Sequence, residues 1–598
     1  MSVATAQTPQ RITMDPSEPG LWHASVPKQI RKTYRAAPHL GWAVWASHLQ
    51  ARKRPRQLAE LLPGGRKAIL WSLPGNSWNS PSVQILHALA DVTAKSKPAA
   101  RLSVSSQLRS WLSDSLVDSE PLQRTLEMLA WISVLPRLAT MVAEDVWWDF
   151  VQEAIRTAEH FELANPEVSP LAGQLLDCEL KIALSHQLPE LRACRELGVL
   201  GRDRLSETLT GILDEGGLAP GCPTTEFGPL VASWVRCAAM LHDQGHASWS
   251  ELAQQRFVLA AHNLFRLARK DGSVAFERAA AAGWNRKFSS AVRQCACDRK
   301  LDRIAELATS RSAETNKLPR ASIHSEPASL GILRGSWRST APRLTASYVG
   351  RQVTSELSIA GEVIWSGPSN PQLRAGGIPL EISSNWEEVC WVSDDDVDYL
   401  ELEATFSGHH RVQRQMLLAK TDRFVLVADA ILGENETSFE YKLSLPLAAD
   451  FGFAPAKESR EGMLQGRKAE ALVLPLGLGE WRTDNSRGEL VEEDSRLILR
   501  HSVRGSRMYA PLFVSFDAKR IKRGITWRQL TIAEMREQQR IDVAVGYRVQ
   551  IGKRQWLIYR SLAPPAIRTV LAQNLSTEFL TARFHRDGKA STIVEVEP

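Results

Sequence analysis

Long apolar runs are missing from this chain of 598 residues. No window approaches the roughly 20 consecutive apolar residues that a membrane helix needs. The first residues, Met1 to Arg11, do not combine a basic segment with an apolar one, as a secretory signal would. These absences predict a cytoplasmic protein that does not contact membranes.

Cysteine and net charge are also scarce. The seven cysteines are odd in number, and only Cys295 and Cys297 are closely spaced, with a separation that is unusual for a metal knuckle. Free thiols in a reducing compartment, and no metal or other cofactor, are therefore expected. The formal charge is only +6, with basic and acidic residues interspersed. Nucleic-acid binding normally requires a concentrated basic surface, so no nucleic-acid partner is predicted.

The apolar periodicity changes along the chain. Up to about residue 308, leucines recur at helical spacing, as at Leu122, Leu126 and Leu129. Further on, Leu400 and Leu402 belong to a run that alternates with polar residues, as in strands. We predict an arm over 1–25, a helical domain over 26–308, a linker over 309–329 and an antiparallel β-sandwich domain over 330–598. The fold class is thus multidomain α+β, with helical hairpins first.

Tryptophan is unusually frequent, with 19 residues against seven tyrosines. Indole rings can stack on sugars, and Trp234 and Trp284 are our candidates for that role. The alternative is a packing role in the core, which we expect for Trp42, Trp45, Trp147 and Trp148 because they lie in helical stretches.

Three segments resemble the heparinase II/III-like polysaccharide lyases. The stretch from Leu213 to Glu226 is similar to a glycine-rich turn that enters a helix in that family. The stretches from Arg343 to Ser366 and from His410 to Asp429 are similar to strands of its sandwich. The resemblance implies an (α/α) toroid-like domain followed by a β-sandwich, with the active site in a cleft between them. It also implies β-elimination on an anionic, uronate-containing polysaccharide or oligosaccharide.

The family's catalytic residues are not retained at the matching positions. Its Tyr-His pair falls on Thr225 and Glu226, and its His-x-His-x-Asp segment falls on Ser347 to Arg351. Of the seven tyrosines in the sequence, only Tyr34 lies in the helical half, and it is far from the glycine-rich turn. A standard arrangement of the active site is therefore excluded.

β-Elimination needs a cation beside the sugar carboxylate, a base and an acid. Glu226 and Tyr348 are our candidates for the proton transfers. The predicted substrate-binding arginines flank the sandwich start, and they are Arg334, Arg338, Arg343 and Arg351. The spacing of His242 and His246 and the acidic run from Asp394 to Asp398 do not match a metal site, and none is predicted.

Two other functions fit the same sequence. A non-catalytic carbohydrate-binding or scaffold protein would keep the cleft without the chemistry. A glycoside hydrolase would need paired carboxylates, for which Asp214, Glu215 and Glu226 are the candidates.

Overall fold

A computed structural model of the chain describes residues 14–51, 98–113, 121–160, 169–277, 286–309, 318–483, 488–564 and 566–597. It divides into two compact units. The first comprises Met1–Leu264 and Gly272–Leu301, and the second comprises Phe265–Asp271 and Asp302–Pro598, apart from the undescribed stretches. The boundary near residue 302 lies close to the change in apolar periodicity.

The first unit is helical. Several of its helices begin at a proline, where the missing backbone N–H costs no hydrogen bond. Its described helices, with those that continue across the boundary, are α1 (Lys28–Ala36), α2 (Pro38–Ala51), α3 (Pro98–Ser113), α4 (Pro121–Leu138), α5 (Glu144–His160), α6 (Pro170–Gln174), α7 (Leu180–Gln187), α8 (Arg192–Ile212), α9 (Thr224–Asp243), α10 (Glu251–Leu267), α11 (Arg286–Ala296) and α12 (Arg299–Thr309).

A tryptophan cluster closes one part of the helical unit. Trp45 and Trp147 are completely buried and lie 6.2 Å apart between ring centroids, and Trp148 lies 4.8 Å from Trp147. Trp22 stands within 5.0 Å of Trp45 although it precedes α1. The packing role expected for Trp45, Trp147 and Trp148 is therefore confirmed, and the half-buried Trp42 lies 5.6 Å from Trp147 between ring centroids. The segment predicted as an arm contributes a buried ring to this core.

Helices α6 and α7 are joined by a π-helical turn, Leu175–Glu179, which places two carboxylates inside the unit. Asp177 accepts hydrogen bonds from Lys181 Nζ at 2.5 Å and Arg204 Nη1 at 3.0 Å. Glu179 accepts one from Arg236 Nη2 at 2.8 Å. Because each buried carboxylate has a basic partner, the turn is compatible with the apolar surroundings.

The second unit begins its sheets inside the stretch that we predicted to be a linker. A five-stranded antiparallel sheet, the first sheet, follows chain order from β1 to β5. Its strands are β1 (Ile323–Ser325), β2 (Leu330–Arg334), β3 (Arg343–Ser347), β4 (Thr354–Ile359) and β5 (Glu362–Pro368).

An eleven-stranded sheet, the central sheet, forms the middle of the second unit. Its main order is β12-β13-β14-β16-β11-β10-β9-β8; β15 pairs with β16, and β6 pairs with β11 and β7. The strands are β6 (Gln372–Ala375), β7 (Ile378–Leu380), β8 (Glu387–Ser393), β9 (Val397–Phe406), β10 (His410–Ala419), β11 (Phe424–Pro446), β12 (Gly452–Pro455), β13 (Gly462–Gln465), β14 (Glu470–Pro475), β15 (Gly488–Glu493) and β16 (Arg496–Ser515).

Two further antiparallel sheets complete the second unit. The third sheet has the order β17-β20-β21-β24-β25, and a small sheet has the order β19-β18-β22-β23. Their strands are β17 (Ile525–Leu530), β18 (Ala533–Glu534), β19 (Glu537–Gln538), β20 (Ala544–Ile551), β21 (Arg554–Ser561), β22 (Arg568–Val570), β23 (Gln573–Leu575), β24 (Phe579–Phe584) and β25 (Ala590–Val596).

Both faces of the central sheet are covered along β9, β10 and the first part of β11. Leu400 and Leu402 of β9 pack with first-sheet residues such as Leu344, in what we call the first core. Tyr399 packs with third-sheet residues such as Trp556, in the second core. Successive strand residues point to opposite faces. The alternation in the sequence therefore separates two cores here, rather than a core from solvent.

This double coverage forces polar side chains to pair inside the protein. Arg414 on β10 is completely buried in the first core and holds Asp429 of β11 through two hydrogen bonds, of 2.8 and 2.6 Å. Tyr441 donates a third hydrogen bond to Asp429 at 2.7 Å. A bidentate pair of this kind satisfies both ions geometrically.

All seven cysteines are free of disulfide bonds, and Cys178, Cys194 and Cys237 are buried. This agrees with the expectation of free thiols. Among the described helices, none combines the length and the apolar character needed to cross a membrane.

Replacing Arg414 with alanine should lower the free energy of unfolding by about 3–5 kcal/mol, because Asp429 would remain buried as an unpaired charge. The matched control is Arg411→Ala on the same strand. Arg411 is exposed and lies 3.4 Å from Glu403, so its loss should cost less than about 1 kcal/mol. Denaturant titration of both variants checks this, and equal losses would contradict the pairing argument.

Candidate functional site

A histidine and a tyrosine meet on one face of the first sheet. His324 of β1 is paired with Gly331 of β2, which in turn is paired with Ala346 of β3. Tyr348 lies two residues beyond Ala346, so strand alternation sends its side chain to the same face as that of His324. The glycine between them makes room for Leu400 of β9, since a Cβ at Gly331 would come within 2.7 Å of the Leu400 side chain.

The two side chains share one hydrogen bond. His324 Nε2 and the Tyr348 hydroxyl are 2.7 Å apart, and the rings are nearly parallel at 11°. Trp391 of β8 also stacks on the imidazole, with ring centroids 5.4 Å apart. Contacts with the indole and the phenol restrict the orientation of the His324 ring.

Burial sets the protonation of this pair. Tyr348 is only 2% exposed. Burial, followed by the charges of Glu388 and Glu326, raises the pKa of its phenol. Burial lowers the pKa of His324 to about 4. At neutral pH the pair therefore holds a neutral imidazole, which can accept a proton, and a protonated phenol, which can donate one.

Two carboxylates stand beside the pair. Burial and the nearby Glu326 raise the pKa of Glu388. Their negative charge favours proton uptake locally and opposes the approach of another anion. Any reaction at the site therefore takes place beside the negative charges of these two carboxylates.

Two of the predicted substrate-binding arginines donate their side-chain hydrogen bonds to backbone carbonyls. Arg334 Nη1 donates to the carbonyls of Phe265 and Arg266, at 2.7 and 2.8 Å. Arg343 Nη1 donates to Leu267 and Ala268, at 2.5 and 3.0 Å. These carbonyls belong to the C-terminal end of α10 and the residue after it, where cations are favoured. The contacts support a structural role, and sugar binding by either residue stays a prediction.

Arg343 also belongs to a buried ion cluster. Its Nη2 donates to Glu356 Oε1 at 2.8 Å, and Arg269 and Ser366 donate to the same carboxylate. Glu356 is completely buried, so this charge depends on its two arginines.

The other two arginines are more accessible. Arg338 is half-buried, and its carbonyl accepts a hydrogen bond from Arg334 Nη2 at 3.3 Å. Arg351 is exposed, three residues after Tyr348. Of the predicted arginines, Arg351 has the position that best suits contact with a ligand near the pair.

Glu226 lies in the helical unit, in the first turn of α9, and is half-buried. The α9 backbone there begins with a hydrogen bond from Glu226 N to Pro223 O at 2.8 Å. An acidic side chain at this position is favoured by the helix dipole. Its catalytic role stays a prediction. The hydrolase candidate Asp214 uses its carboxylate to accept from Leu218 N at 2.8 Å, within the turn itself.

The two tryptophan candidates have different outcomes. Trp234 on α9 is completely buried, which supports the packing alternative, and stacking on a sugar at this position stays a prediction. Trp284 lies outside the described residues. Across the described ranges, no group of three or more histidine, cysteine or acidic side chains is placed to hold a metal ion.

Sequence reasoning missed His324. It lies on a three-residue strand within the segment predicted to be a linker, which has no alternating pattern. Its partner Tyr348 is 24 residues away, and only the pairing of β1, β2 and β3 brings them together. Spacing in the sequence contains no signal for this contact.

Comparison with known proteins identifies the fold. No protein-family profile matches the chain, and no curated protein sequence matches it significantly. Among solved structures, heparinase III is similar with a TM-score of 0.63 and 10% identity, covering 91% of this chain and 99% of that one. A mutant of the heparan sulfate lyase HepC from Pedobacter heparinus gives 0.56 and 12%, covering 92% and 99%.

The chain therefore has a heparinase-like polysaccharide lyase fold. The predicted fold class, a helical toroid-like domain followed by an antiparallel β-sandwich, is confirmed by these matches. Sequence identities this low show a shared fold only, so the activity has to be argued from the residues of the site.

His324 should make folding stability depend on pH. An unfolded histidine has a pKa near 6.5, and the folded value is about 4. Between these values the unfolded chain binds more protons, so stability falls as the pH drops from about 6.5 to about 4. His324→Gln should reduce that fall by roughly 1–2 kcal/mol, allowing for solvent reaching part of the ring.

The measurement is thermal or denaturant unfolding of both proteins across this pH range. Because its pKa is raised, Glu388 contributes a change of folding stability with pH that has the opposite sign. The difference between the two proteins therefore isolates the effect of His324, whereas the stability curve of either protein alone does not. His409→Gln, at an exposed histidine, is the control and should leave the slope unchanged. Parallel curves for the wild type and His324→Gln would refute the buried neutral imidazole.

Proposed function

We propose that this protein cleaves an anionic, uronate-containing polysaccharide or oligosaccharide by β-elimination, with His324 and Tyr348 as the proton-transfer pair. The observation that carries the proposal is the 2.7 Å contact between a neutral imidazole and a protonated phenol. The lyase fold supports this substrate class, since the similar structures include a heparan sulfate lyase.

These two residues can carry out both proton transfers of the elimination. His324 takes the proton from the carbon next to the sugar carboxylate, and the C–H electron pair forms the new C=C bond. The C–O bond to the leaving sugar breaks with its electrons on oxygen, and Tyr348 protonates that oxygen. The imidazolium then returns a proton to the phenolate through their shared hydrogen bond. The exposed Arg351 is our candidate for neutralising the carboxylate.

A second candidate function is carbohydrate binding without catalysis. The near-complete burial of Tyr348 and the carboxylates of Glu326 and Glu388 favour it over elimination, because each hinders the approach of an anionic sugar to the His324–Tyr348 pair. The predicted cytoplasmic location would suit either function acting on imported oligosaccharides, and it stays a prediction.

The decisive test is turnover of heparan sulfate and a panel of other uronate polysaccharides, followed through the ultraviolet absorbance of the new C=C bond. Tyr348→Phe and His324→Gln should each lower kcat by about 10²–10⁴-fold. Activity of the wild type should also decline as the pH falls toward about 4, where His324 becomes protonated.

Tyr559→Phe is the matched control, because its buried hydroxyl has no hydrogen-bond partner among the described residues. It should retain wild-type turnover. If only Glu226→Gln lost turnover, the base would be Glu226 on α9, and the proton-transfer role of His324 and Tyr348 would be refuted. Retention on a polysaccharide affinity gel without absorbance would support the binding function, and new reducing ends without absorbance would indicate a hydrolase.

A further inference from the structure

A separate cavity lies between the central and third sheets. Its volume is about 320 Å³, within the range of small-molecule sites. Strands β16 and β20 supply most of the wall, and β17 contributes Gln529. The lining residues that matter for its chemistry are Gly477, His501, Arg504, Arg507, Tyr509 and Tyr547.

An irregularity in the central sheet opens this space. Strands β11 and β16 are paired continuously except for a register shift between Leu432 and Thr437. Arg507 is paired with Leu432, at the last regular position before the shift. A bulge interrupts the ladder and redirects the neighbouring side chains. Here it places the basic residues of β16 around the cavity.

The cavity wall is basic, and none of the described residues that line it carries a carboxylate. His501, Arg504 and Arg507 line it. The nearby acids already have arginine partners, one of them in the cavity wall: Glu436 lies 3.2 Å from Arg504 and 3.4 Å from Arg540. Asp542 lies 3.0 Å from Arg540. The Arg507 side chain has no hydrogen-bonding or ionic partner among the described residues, so one positive charge is left for a ligand.

Two aromatic rings form the inner wall. Tyr509 and Tyr547 are buried, and their centroids lie 6.5 Å apart with a 27° angle between the rings. The Tyr509 hydroxyl donates to Gln415 Oε1 at 2.7 Å, which fixes the ring. Rigid phenol rings offer apolar faces to the C–H groups of a sugar.

We propose that this cavity binds an anionic sugar residue, with its sulfate or carboxylate on Arg507 and its ring against Tyr509 and Tyr547. The cavity borders the second core, whereas His324 and Tyr348 stand at the first. It is therefore an additional binding site, and it does not depend on whether the protein carries out elimination. Arginine suits the role because its planar group can bind sulfate or carboxylate through two parallel hydrogen bonds.

The test is isothermal titration of the full-length protein with a sulfated uronate-containing disaccharide. Arg507→Gln should raise the Kd at least tenfold, and Arg507→Lys should raise it less because the charge is kept. The control is Arg548→Gln: Arg548 is also half-buried but follows Tyr547 directly, so it points to the other face of β20. This control should change the Kd less than twofold.

Hydrogen exchange locates the bound sugar. Protection should appear in peptides covering residues 501–509 and 544–547 of the wild type, and should be absent in Arg507→Gln. A non-sulfated uronate disaccharide separates carboxylate from sulfate recognition, and a neutral disaccharide should not bind.

Equal weakening by Arg507→Gln and Arg548→Gln, or equal affinity for neutral and anionic sugars, would overturn the proposal. So would an absence of protection in these peptides. Tyr348→Phe should bind the disaccharide at the cavity as the wild type does, so a failed elimination assay leaves this test intact.

Discussion

The second unit depends on a central sheet whose strands β9, β10 and the first part of β11 are covered on both faces. Apolar residues from alternate positions of β9, β10 and β11 enter the first and second cores in turn. A polar side chain that is buried on these strands therefore loses water and must find a partner within the protein. Arg414 with Asp429 meets that requirement in the first core. Arg560 with Glu401, 2.9 Å apart, meets it in the second.

The same loss of water determines the chemistry of His324 and Tyr348. At the edge of the first sheet, burial favours the uncharged form of each group, so the imidazole is available as a base and the phenol as an acid. No cation or metal is required for this protonation. The site thus follows from the same constraint that pairs arginines with carboxylates deeper in the unit.

Both proposed sites lie where the regular sheet structure is interrupted. His324 stands on a strand of three residues at the edge of the first sheet. Arg507 stands beside the register shift between β11 and β16. Within the regular ladders, by contrast, charged groups such as Arg414 are fully matched and unavailable to a ligand. Edges and bulges leave side chains that the ladder does not already use.

Much of the architecture could be predicted from the sequence. The change from helical to alternating periodicity, and the segments from Leu213 to Glu226 and from Arg343 to Ser366, indicated a helical domain followed by a sandwich. The sequence could not predict that the second unit has two separate cores. Alternation at Leu400 and Tyr399 shows that two faces exist, but it does not say what covers each face.

The site was less accessible to sequence reasoning. Tyr348 could be chosen because tyrosine is rare here and the resemblance pointed to its segment. Arg334 and Arg343 could be chosen for their charge, yet only the fold shows that backbone carbonyls of the α10 end occupy them.

The sequence by itself determined the order of the two structural classes, the free thiols and the shortage of catalytic tyrosine and histidine at the expected positions. These properties depend on local composition and periodicity, which a sequence displays directly. Only the tertiary structure decided that His324 meets Tyr348, that Trp234 is buried and that Arg507 faces a cavity. Each of these depends on strand pairing and packing between residues distant in the chain, and no local pattern specifies such contacts.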